Sequence, residues 1–254
     1  MTEHIIVLND GGILTLILNR PDKKNALTDA MYAALADQLE SAQSDPAVRT
    51  ILIRGEGDMF CAGNDLGEFA ATASSGGPAN VMRFLRTLAA LEKPLVAAVQ
   101  GRAVGIGTTM LLHCDHVVLA EDAVLSAPFV SLALAPEAAS SLLLPGLIGH
   151  VRAFAMFALG DAVGAQDALA WGLANKVVPL ADLHATADAV ARRLVRQPLG
   201  ALIATKRLMR PQRAITAHME EEITQFLARL ASAEAQEAFA AFAERRAPDF
   251  SRFS

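Results

Sequence analysis

One carboxylate stands alone in a long uncharged part of the chain. Glu137 is the only Asp, Glu, Lys or Arg between Asp122 and Arg152, and its surroundings, SLALAPEAASSLLLPGLIG at 131–149, are apolar, small or hydroxylic. An ionised carboxylate there loses hydration and needs a compensating partner or a raised pKa. A carboxylate with a raised pKa can take up and return a proton near neutral pH, so Glu137 is a candidate general base and acid.

The same residue has a structural interpretation. Proline at the first helical position and an acid in the first turn are common where helices start, so Ala135-Pro136-Glu137 also predicts the beginning of a helix. The two interpretations are compatible, because a carboxylate at a helix start can also face a pocket.

Two glycine-containing turns each follow a predicted buried strand. They are MFCAGNDLGEF at 59–69 and QGRAVGIGTTM at 100–110. Glycine permits tight backbone paths and lets a ligand approach the peptide N–H groups, and a helix N-terminus presents free N–H donors. Two such donor sets side by side could hold a developing oxyanion, and two ordinary tight turns are the alternative.

Two other common site motifs do not fit. Gly101, Gly105 and Gly107 do not give the G-x-G-x-x-G spacing of a dinucleotide site, and no strand early in the chain leads into them. The sequence contains no G-x-S-x-G, so a serine nucleophile elbow is unsupported.

Alternating strands and helices must position these residues. Through the first 180 residues the strand–helix–strand unit recurs, which predicts an α/β fold. Strands are predicted in HIIVLNDGGILTLILN (two, with a turn at 9–12), RTILIRGEG, PLVAAVQG and HVVLAED. Helices are predicted in LTDAMYAALADQLESAQSD, with Thr28 as N-cap, in PANVMRFLRTLAALEK and in GIGTTMLLHCD. A Gly/Ser-rich loop is predicted at 74–77.

From about residue 182 only helices are predicted. They are 181–198, 199–210 and one long helix at 214–246, punctuated by Pro198 and Pro211. A helical appendage of this kind often packs against a neighbouring subunit, although its spacing alone does not establish that.

Composition narrows the class of protein. Of 254 residues, 53% are apolar and 19% charged, which is enough for a sizeable core, and the net charge of −5 gives no sign of nucleic-acid binding. No signal peptide is predicted at the start. The apolar stretch 123–149 is interrupted by Pro128, Pro136, Pro145 and Gly146, so it predicts packed core rather than a membrane span.

Cys61 and Cys114 lack metal-ligand spacing and are expected to be free thiols of a cytoplasmic protein, with no metal site.

Four segments carry a family resemblance. LNRPDKKNAL, FCAGNDL, KPLVAAVQGRAVGIGTTMLLHCDHVVLAED and AFAERRAPDF resemble, in order and spacing, the crotonase superfamily of enoyl-CoA hydratases and isomerases. The resemblance implies a crotonase-like α/β spiral of ββα units over 1–190 and a helical C-terminal region at 191–254 that builds a homotrimer or a dimer of trimers. It also implies an acyl-CoA thioester substrate, and no cofactor besides the coenzyme A of that substrate.

The resemblance also implies residue roles. The backbone N–H groups of Asn64 and Ile106 would form the oxyanion hole, with Ile106 standing where the family usually has glycine. Coenzyme A would be bound by Lys23, Lys24, Asn25, Ala26 and Leu27, with help from Ala62. The acyl pocket would take its residues from Leu66, Phe69, Met82, Phe84, Leu85 and Phe129, for which plain core packing is the alternative. Asp65 and Asp115 are expected to be structural, and His113 and His116 to be core or surface residues.

The type of reaction depends on which positions are acidic. Hydratases of the family hold a water between two glutamates, whose positions correspond here to Thr109 and Phe129. Instead, APFVSLALAPEAASS at 127–141 resembles the peroxisomal-type Δ3,Δ2-enoyl-CoA isomerases, in which one glutamate, here Glu137, shuttles a proton. An isomerase is therefore expected. A hydratase, other acyl-CoA enolate chemistry, and a catalytically silent acyl-CoA-binding subunit are the alternatives.

Overall fold

The computed structural model describes residues 2–68 and 78–253, and its larger sheet begins with the predicted hairpin. Strands β1 (Ile5–Asp10) and β2 (Ile13–Leu18) pair antiparallel, with Ile5 opposite Leu18. The turn between them needs two residues with positive φ, and Gly11 and Gly12 supply them at 54° and 87°. The hairpin prediction is confirmed. The predicted loop at 74–77 and Phe69 lie outside the described residues.

The remaining strands of the larger sheet run parallel to β2. Its order is β1-β2-β3-β4-β6-β9. The added strands are β3 (Thr50–Gly55), β4 (Leu95–Val99), β6 (His116–Ala120) and β9 (Lys176–Val178). A second, smaller sheet that the sequence did not predict contains β5 (Arg102–Val104), β7 (Val124–Ser126) and β8 (Val163–Gly164). The predicted α/β fold of ββα units with a helical C-terminal region is confirmed.

Helices cover the sheet and form the C-terminal region. They are α1 (Asp29–Ser44), α2 (Ala79–Ala90), α3 (Ile106–Thr109), α4 (Ser140–Ile148), α5 (His150–Phe154), α6 (Ala165–Ala170), α7 (Leu183–Val195), α8 (Leu199–Met209), α9 (Gln212–Leu230) and α10 (Ala233–Ala243). Thr28 caps α1 as predicted, because its hydroxyl accepts the Met31 N–H at 3.3 Å.

The long helix predicted at 214–246 is two helices. It breaks after α9, and Ser232 starts α10 by accepting the Ala235 N–H on its hydroxyl at 3.1 Å. A serine that caps a new helix competes with continuation of the old one, which explains the break. The single-helix prediction is therefore wrong.

Both faces of the parallel strands are buried. On one face, Leu52, Val96 and Val118 pack against Leu183 and Ala187 of α7. The other face belongs to the main core together with α1 and α2. Burial on both faces explains the nearly continuous apolar runs of these strands. The predicted boundary between residues 190 and 191 falls inside α7. None of the described helices has the length and apolar character to cross a membrane.

Candidate active site

Glu137 lies on a loop between β7 and α4 that has an unusual backbone. Ala138 and Ala139 adopt positive φ values of 63° and 53°, a conformation that costs an L-residue roughly 1–2 kcal/mol. The loop is fixed because Ser140 donates its N–H to the Glu137 carbonyl at 3.0 Å, and the His113 Nε2 hydrogen bonds the Ala138 carbonyl at 2.7 Å. Helix α4 begins only at Ser140, so the prediction that Ala-Pro-Glu opens a helix is wrong.

The Glu137 carboxyl group is buried without a polar partner. The residue is 2% exposed, and neither carboxyl oxygen has a hydrogen-bond partner within residues 2–68 and 78–253. Burial first, and then the charge of Glu222, raise the pKa of Glu137 to about 8. Its proton is therefore exchanged near neutral pH, as a general base and acid requires.

The two glycine turns lie side by side, as the oxyanion hypothesis requires. Cys61 and Ala103 form an isolated parallel bridge, and Val104 donates its N–H to the Cys61 carbonyl at 2.9 Å. Gly107 lies so close to this segment that a Cβ on it would be 2.8 Å from the Cys61 carbonyl oxygen. Only glycine allows the two backbones to approach in this way.

The two predicted donors are the backbone N–H groups of Asn64, which follows the first glycine turn, and of Ile106, which lies in the second. Across the described parts of the chain, neither the Asn64 N–H nor the Ile106 N–H has a hydrogen-bond partner. Ile106 is the first residue of α3, where backbone N–H groups have no partner inside the helix. Its side chain is buried in the core, so the N–H remains a possible donor although the family usually has glycine there. Asn64 is held in place because its Oδ1 accepts the Tyr32 hydroxyl.

A cavity of about 540 Å³ reaches both parts of the site. Its lining includes Asn64, Gly105 and Glu137, which brings the predicted base to the glycine turns. The rest of the wall is mostly apolar, with Leu66, Val104, Pro128, Phe129, Leu132, Leu134, Phe226 and Phe242. A buried carboxylate without a polar partner, in an apolar cavity that also reaches Asn64, can move protons on a bound ligand.

Comparison with known proteins decides the family. The sequence profile of the family described as Enoyl-CoA hydratase/isomerase matches residues 9–252. This chain belongs to the enoyl-CoA hydratase/isomerase family. The resemblance to the crotonase superfamily drawn from its motifs is confirmed.

Curated relatives and a solved structure agree with that assignment. The chain is 35% identical over 261 residues to 1,2-epoxyphenylacetyl-CoA isomerase of Escherichia coli K12, covering 98% of this chain and 99% of that protein. It is 35% identical over 255 residues to enoyl-CoA delta isomerase 2 of Rattus norvegicus, covering 96% of this chain and 64% of that protein. A crystal structure of an enoyl-CoA hydratase/isomerase from Pseudoalteromonas atlantica T6c superposes with a TM-score of 0.94 at 40% identity, covering 98% and 100% of the two chains.

The predicted coenzyme A residues of this enoyl-CoA hydratase/isomerase divide into two groups. Lys23, Ala26 and Ala62 line the Glu137 cavity. The others lie outside its lining. Lys24 is exposed and forms an ion pair with Asp58 at 2.7 Å. Asn25 is buried, and its side-chain amide donates to the Glu56 and Met59 carbonyls. Leu27 is also buried, and its N–H donates to the Gly63 carbonyl.

The predicted acyl-pocket residues also divide. Leu66 and Phe129 line the cavity. Met82, Phe84 and Leu85 lie on α2 in the main core, outside the lining of that cavity. Sequence reasoning missed Leu134 and the two phenylalanines of the C-terminal helices, Phe226 and Phe242. Nothing in a linear pattern indicated that those helices return to the loop carrying Glu137.

Asp65, Asp115 and His113 have structural partners, whereas the buried Nε2 of His116 has no hydrogen-bond partner among the described residues. Asp65 lines the cavity, but Arg20 holds it at 2.7 Å, and this partner contributes to lowering the pKa of Asp65. Asp115 pairs with Lys206 at 2.6 Å. Burial lowers the pKa of His113 to about 3, and Arg210 donates to its Nδ1 at 3.0 Å. His113 is therefore neutral and carries its proton on Nε2, from which it donates to Ala138.

Proposed function

We propose that this enzyme is a Δ3,Δ2-enoyl-CoA isomerase that moves a double bond from C3 to C2 of a fatty enoyl-CoA. One observation carries the proposal: a buried carboxylate, Glu137, has no polar partner among the described residues, in an apolar cavity that also reaches Asn64 and Gly105. The name of the rat relative, enoyl-CoA delta isomerase 2, is consistent with it.

The proposed reaction needs one carboxylate and two backbone donors. The thioester oxygen accepts the Asn64 and Ile106 N–H groups, and ionised Glu137 removes a proton from C2. The electron pair of the broken C–H bond delocalises into a dienolate whose negative oxygen the two donors stabilise. Protonated Glu137 then returns the proton to C4, which leaves the double bond between C2 and C3. The apolar wall protects the dienolate from water.

Hydration is the second candidate, because the family contains hydratases. A hydratase must hold a water between two acidic groups, and Thr109 and Phe129 occupy the positions at which those acids are expected. Asp65 is a second carboxylate in the lining, but its ion pair with Arg20 occupies it. The arrangement therefore favours chemistry with one carboxylate.

A paired assay tests the proposal. The purified protein is incubated separately with a 3-enoyl-CoA and with a 2-enoyl-CoA, and products are separated by chromatography. Formation of 2-enoyl-CoA from the first substrate supports the isomerase. Hydration of the second without isomerisation of the first refutes it. Tight coenzyme A binding without turnover of either substrate indicates a silent acyl-CoA-binding subunit.

The two loop lysines are expected to differ in coenzyme A binding. Lys23 lines the cavity, whereas the Lys24 ammonium already contacts both Asp58 oxygens at 2.7 and 3.0 Å. Lys23→Ala should weaken binding by about two- to fivefold, and more at low salt, because an exposed charge contact is worth little and is screened. Lys24→Ala should have the smaller effect. Calorimetric titration with coenzyme A at two salt concentrations measures this, and equal affinities for both variants and the parent contradict it.

Assembly and location remain predictions. Large apolar side chains are exposed in and after α4, among them Leu147, Val151 and Phe154. Exposed apolar clusters of this kind favour association, in agreement with the proposed homotrimer or dimer of trimers. A stable monomer at micromolar concentration in light scattering would contradict that state. A cytoplasmic location is proposed from the composition alone.

A further inference from the structure

Glu222 is a second buried carboxylate close to the Glu137 loop. It lies on α9, is 6% exposed, and belongs to the buried stripe that contains Met219, Ile223 and Phe226. Phe226 lines the Glu137 cavity, so this face of α9 adjoins the site. A carboxylate on the apolar face of a helix is costly unless donors satisfy it.

The donors of Glu222 come from the start of α4. Its Oε1 accepts the Ser141 N–H at 2.8 Å and the Ser141 hydroxyl at 2.5 Å. Because the hydroxyl donates to Glu222, it accepts from His218 Nε2 at 2.7 Å. Glu222 thus satisfies the Ser141 N–H in the first turn of α4, where a negative charge is favourable.

These contacts act on the segment that carries Glu137. Ser141 directly follows Ser140, whose N–H bonds the Glu137 carbonyl, and the intervening Ala138 and Ala139 have positive φ. On the other side of the loop, His113 holds the Ala138 carbonyl. A strained loop persists only when its surroundings fix it, and Glu222 is one of those constraints.

Glu222 also acts through its charge. Its Oε2 has no hydrogen-bond partner among the described residues, and its charge contributes to the raised pKa of Glu137. Burial raises the pKa of Glu222 as well, but the Ser141 hydrogen bonds oppose that rise. Glu137 has no such donors, so the first proton taken up by the pair goes to Glu137.

Two buried titratable groups beside Glu137 are neutral near pH 7, whereas Lys23 and the Arg20-paired Asp65 are charged groups of the cavity lining. Tyr32 of α1 and Cys61 after β3 both interact with the Glu137 charge. Burial raises the pKa of Tyr32 above its ordinary value and that of Cys61 to about 12. Behind the loop, His113 is neutral, and His218 faces Glu222 at 3.7 Å. Glu222 is therefore the buried acid whose charge should affect the protonation of Glu137.

We propose that Glu222 is a positioning residue of this site, which holds the 137–139 segment through the first turn of α4 and places a second negative charge behind Glu137. Its catalytic significance rests on the proposed function, in which Glu137 is the base. Its effect on the proton affinity of Glu137 does not, and this effect can be measured without any substrate.

The test is a direct titration of Glu137. Carboxyl-13C-labelled glutamate is incorporated, and the Glu137 signal is assigned by its loss in Glu137→Gln. In Glu222→Gln the signal should titrate at lower pH than in the parent, because a negative neighbour is gone. Glu221→Gln is the matched control, since Glu221 is adjacent and exposed, and it should leave the titration unchanged. An unchanged Glu137 titration in Glu222→Gln overturns the proposal.

A second variant keeps the test valid if Glu222→Gln fails to fold. His218→Lys retains Glu222 and sets a permanent positive charge beside it at a half-buried position. The Glu137 titration should again move to lower pH, and no movement counts against the proposal.

Kinetics complete the test once isomerase activity is established. Glu222→Gln should lower kcat by up to about 10²-fold with little change in KM, because displacing a base by a fraction of an ångström impairs chemistry more than binding. The acid limb of kcat/KM should shift to lower pH with the titration. A kcat equal to that of Glu221→Gln overturns the positioning role. If the parent has no isomerase activity, the proposed function fails, while the titration still decides the role of Glu222.

Discussion

Replacing Glu137 by glutamine should lower isomerase turnover by roughly 10²–10⁴-fold, the range of a positioned acid–base group. The amide keeps the size of the side chain but cannot accept a proton from C2. Affinity for the CoA ester should change little, because the predicted binding contacts lie elsewhere. Steady-state kinetics with a 3-enoyl-CoA measure turnover, and a binding titration with a non-reactive CoA thioester measures affinity.

The pH dependence gives this prediction an independent check. Because the base must be ionised, kcat/KM of the parent should rise as pH increases through about 8, the raised pKa of Glu137. A carboxyl group whose pKa is raised on folding favours the folded state below its ordinary pKa and loses that contribution as pH rises through 8. Glu137→Gln should therefore be more stable than the parent above pH 8, by on the order of a few kcal/mol, with a smaller difference at pH 5.

A control separates catalysis from a general loss of charge. Glu121→Gln removes an exposed carboxylate outside the cavity lining and should leave turnover unchanged. Near-parental isomerisation by Glu137→Gln would remove Glu137 from the mechanism. Asp65, the other carboxylate in the cavity lining, would then be the next base to test.

Placing a methyl group on Gly107 should abolish most activity without replacing any ionisable residue. A Cβ there would lie 2.8 Å from the Cys61 carbonyl oxygen and 2.9 Å from the Cys61 Cβ. Backbone must move to relieve these contacts, and the Cys61–Asn64 segment would separate from α3. Loss of one oxyanion donor costs about 10²–10³-fold in kcat, so Gly107→Ala should fall in that range.

Folding must be monitored, because overpacking at a buried position costs roughly 1–3 kcal/mol. Kinetics are therefore measured well below the unfolding temperature, with circular dichroism as the check. Gly200→Ala is the control, since a Cβ on this α8 residue meets nothing within 4 Å. Parental kcat in a folded Gly107→Ala protein would refute the pairing of the two turns as an oxyanion hole.

The sequence predicted correctly those secondary-structure elements whose start or turn depends on a few neighbouring residues. The β1–β2 hairpin follows from its glycine turn, and α1 starts at Thr28 because a hydroxyl there can cap it. The break at Ser232 was missed, because the apolar pattern continues through it and only the cap interrupts the helix.

Contacts between residues that are far apart in the sequence were not predicted. The motifs indicated Glu137, Asn64 and Ile106, but the sequence could not indicate that α9 returns to hold the Glu137 loop. A signal for Glu222 does exist, because it lies seven residues after Ile215 and three after Met219, on the apolar stripe of its helix. The sequence alone does not separate Glu222 from the two glutamates before it, because only the structure shows that Glu222 is buried and that Glu220 and Glu221 are exposed.

The contacts that hold the Glu137 loop have a consequence for biosynthesis. Glu137 is near the middle of the chain, whereas Arg210, which fixes His113, and Glu222, which binds the start of α4, come more than 70 residues later in the sequence. During translation the parallel strands through β6 and the glycine turns emerge first, while the loop still lacks both constraints. The loop that carries Glu137 can thus acquire both of these contacts only after the ribosome has added α9.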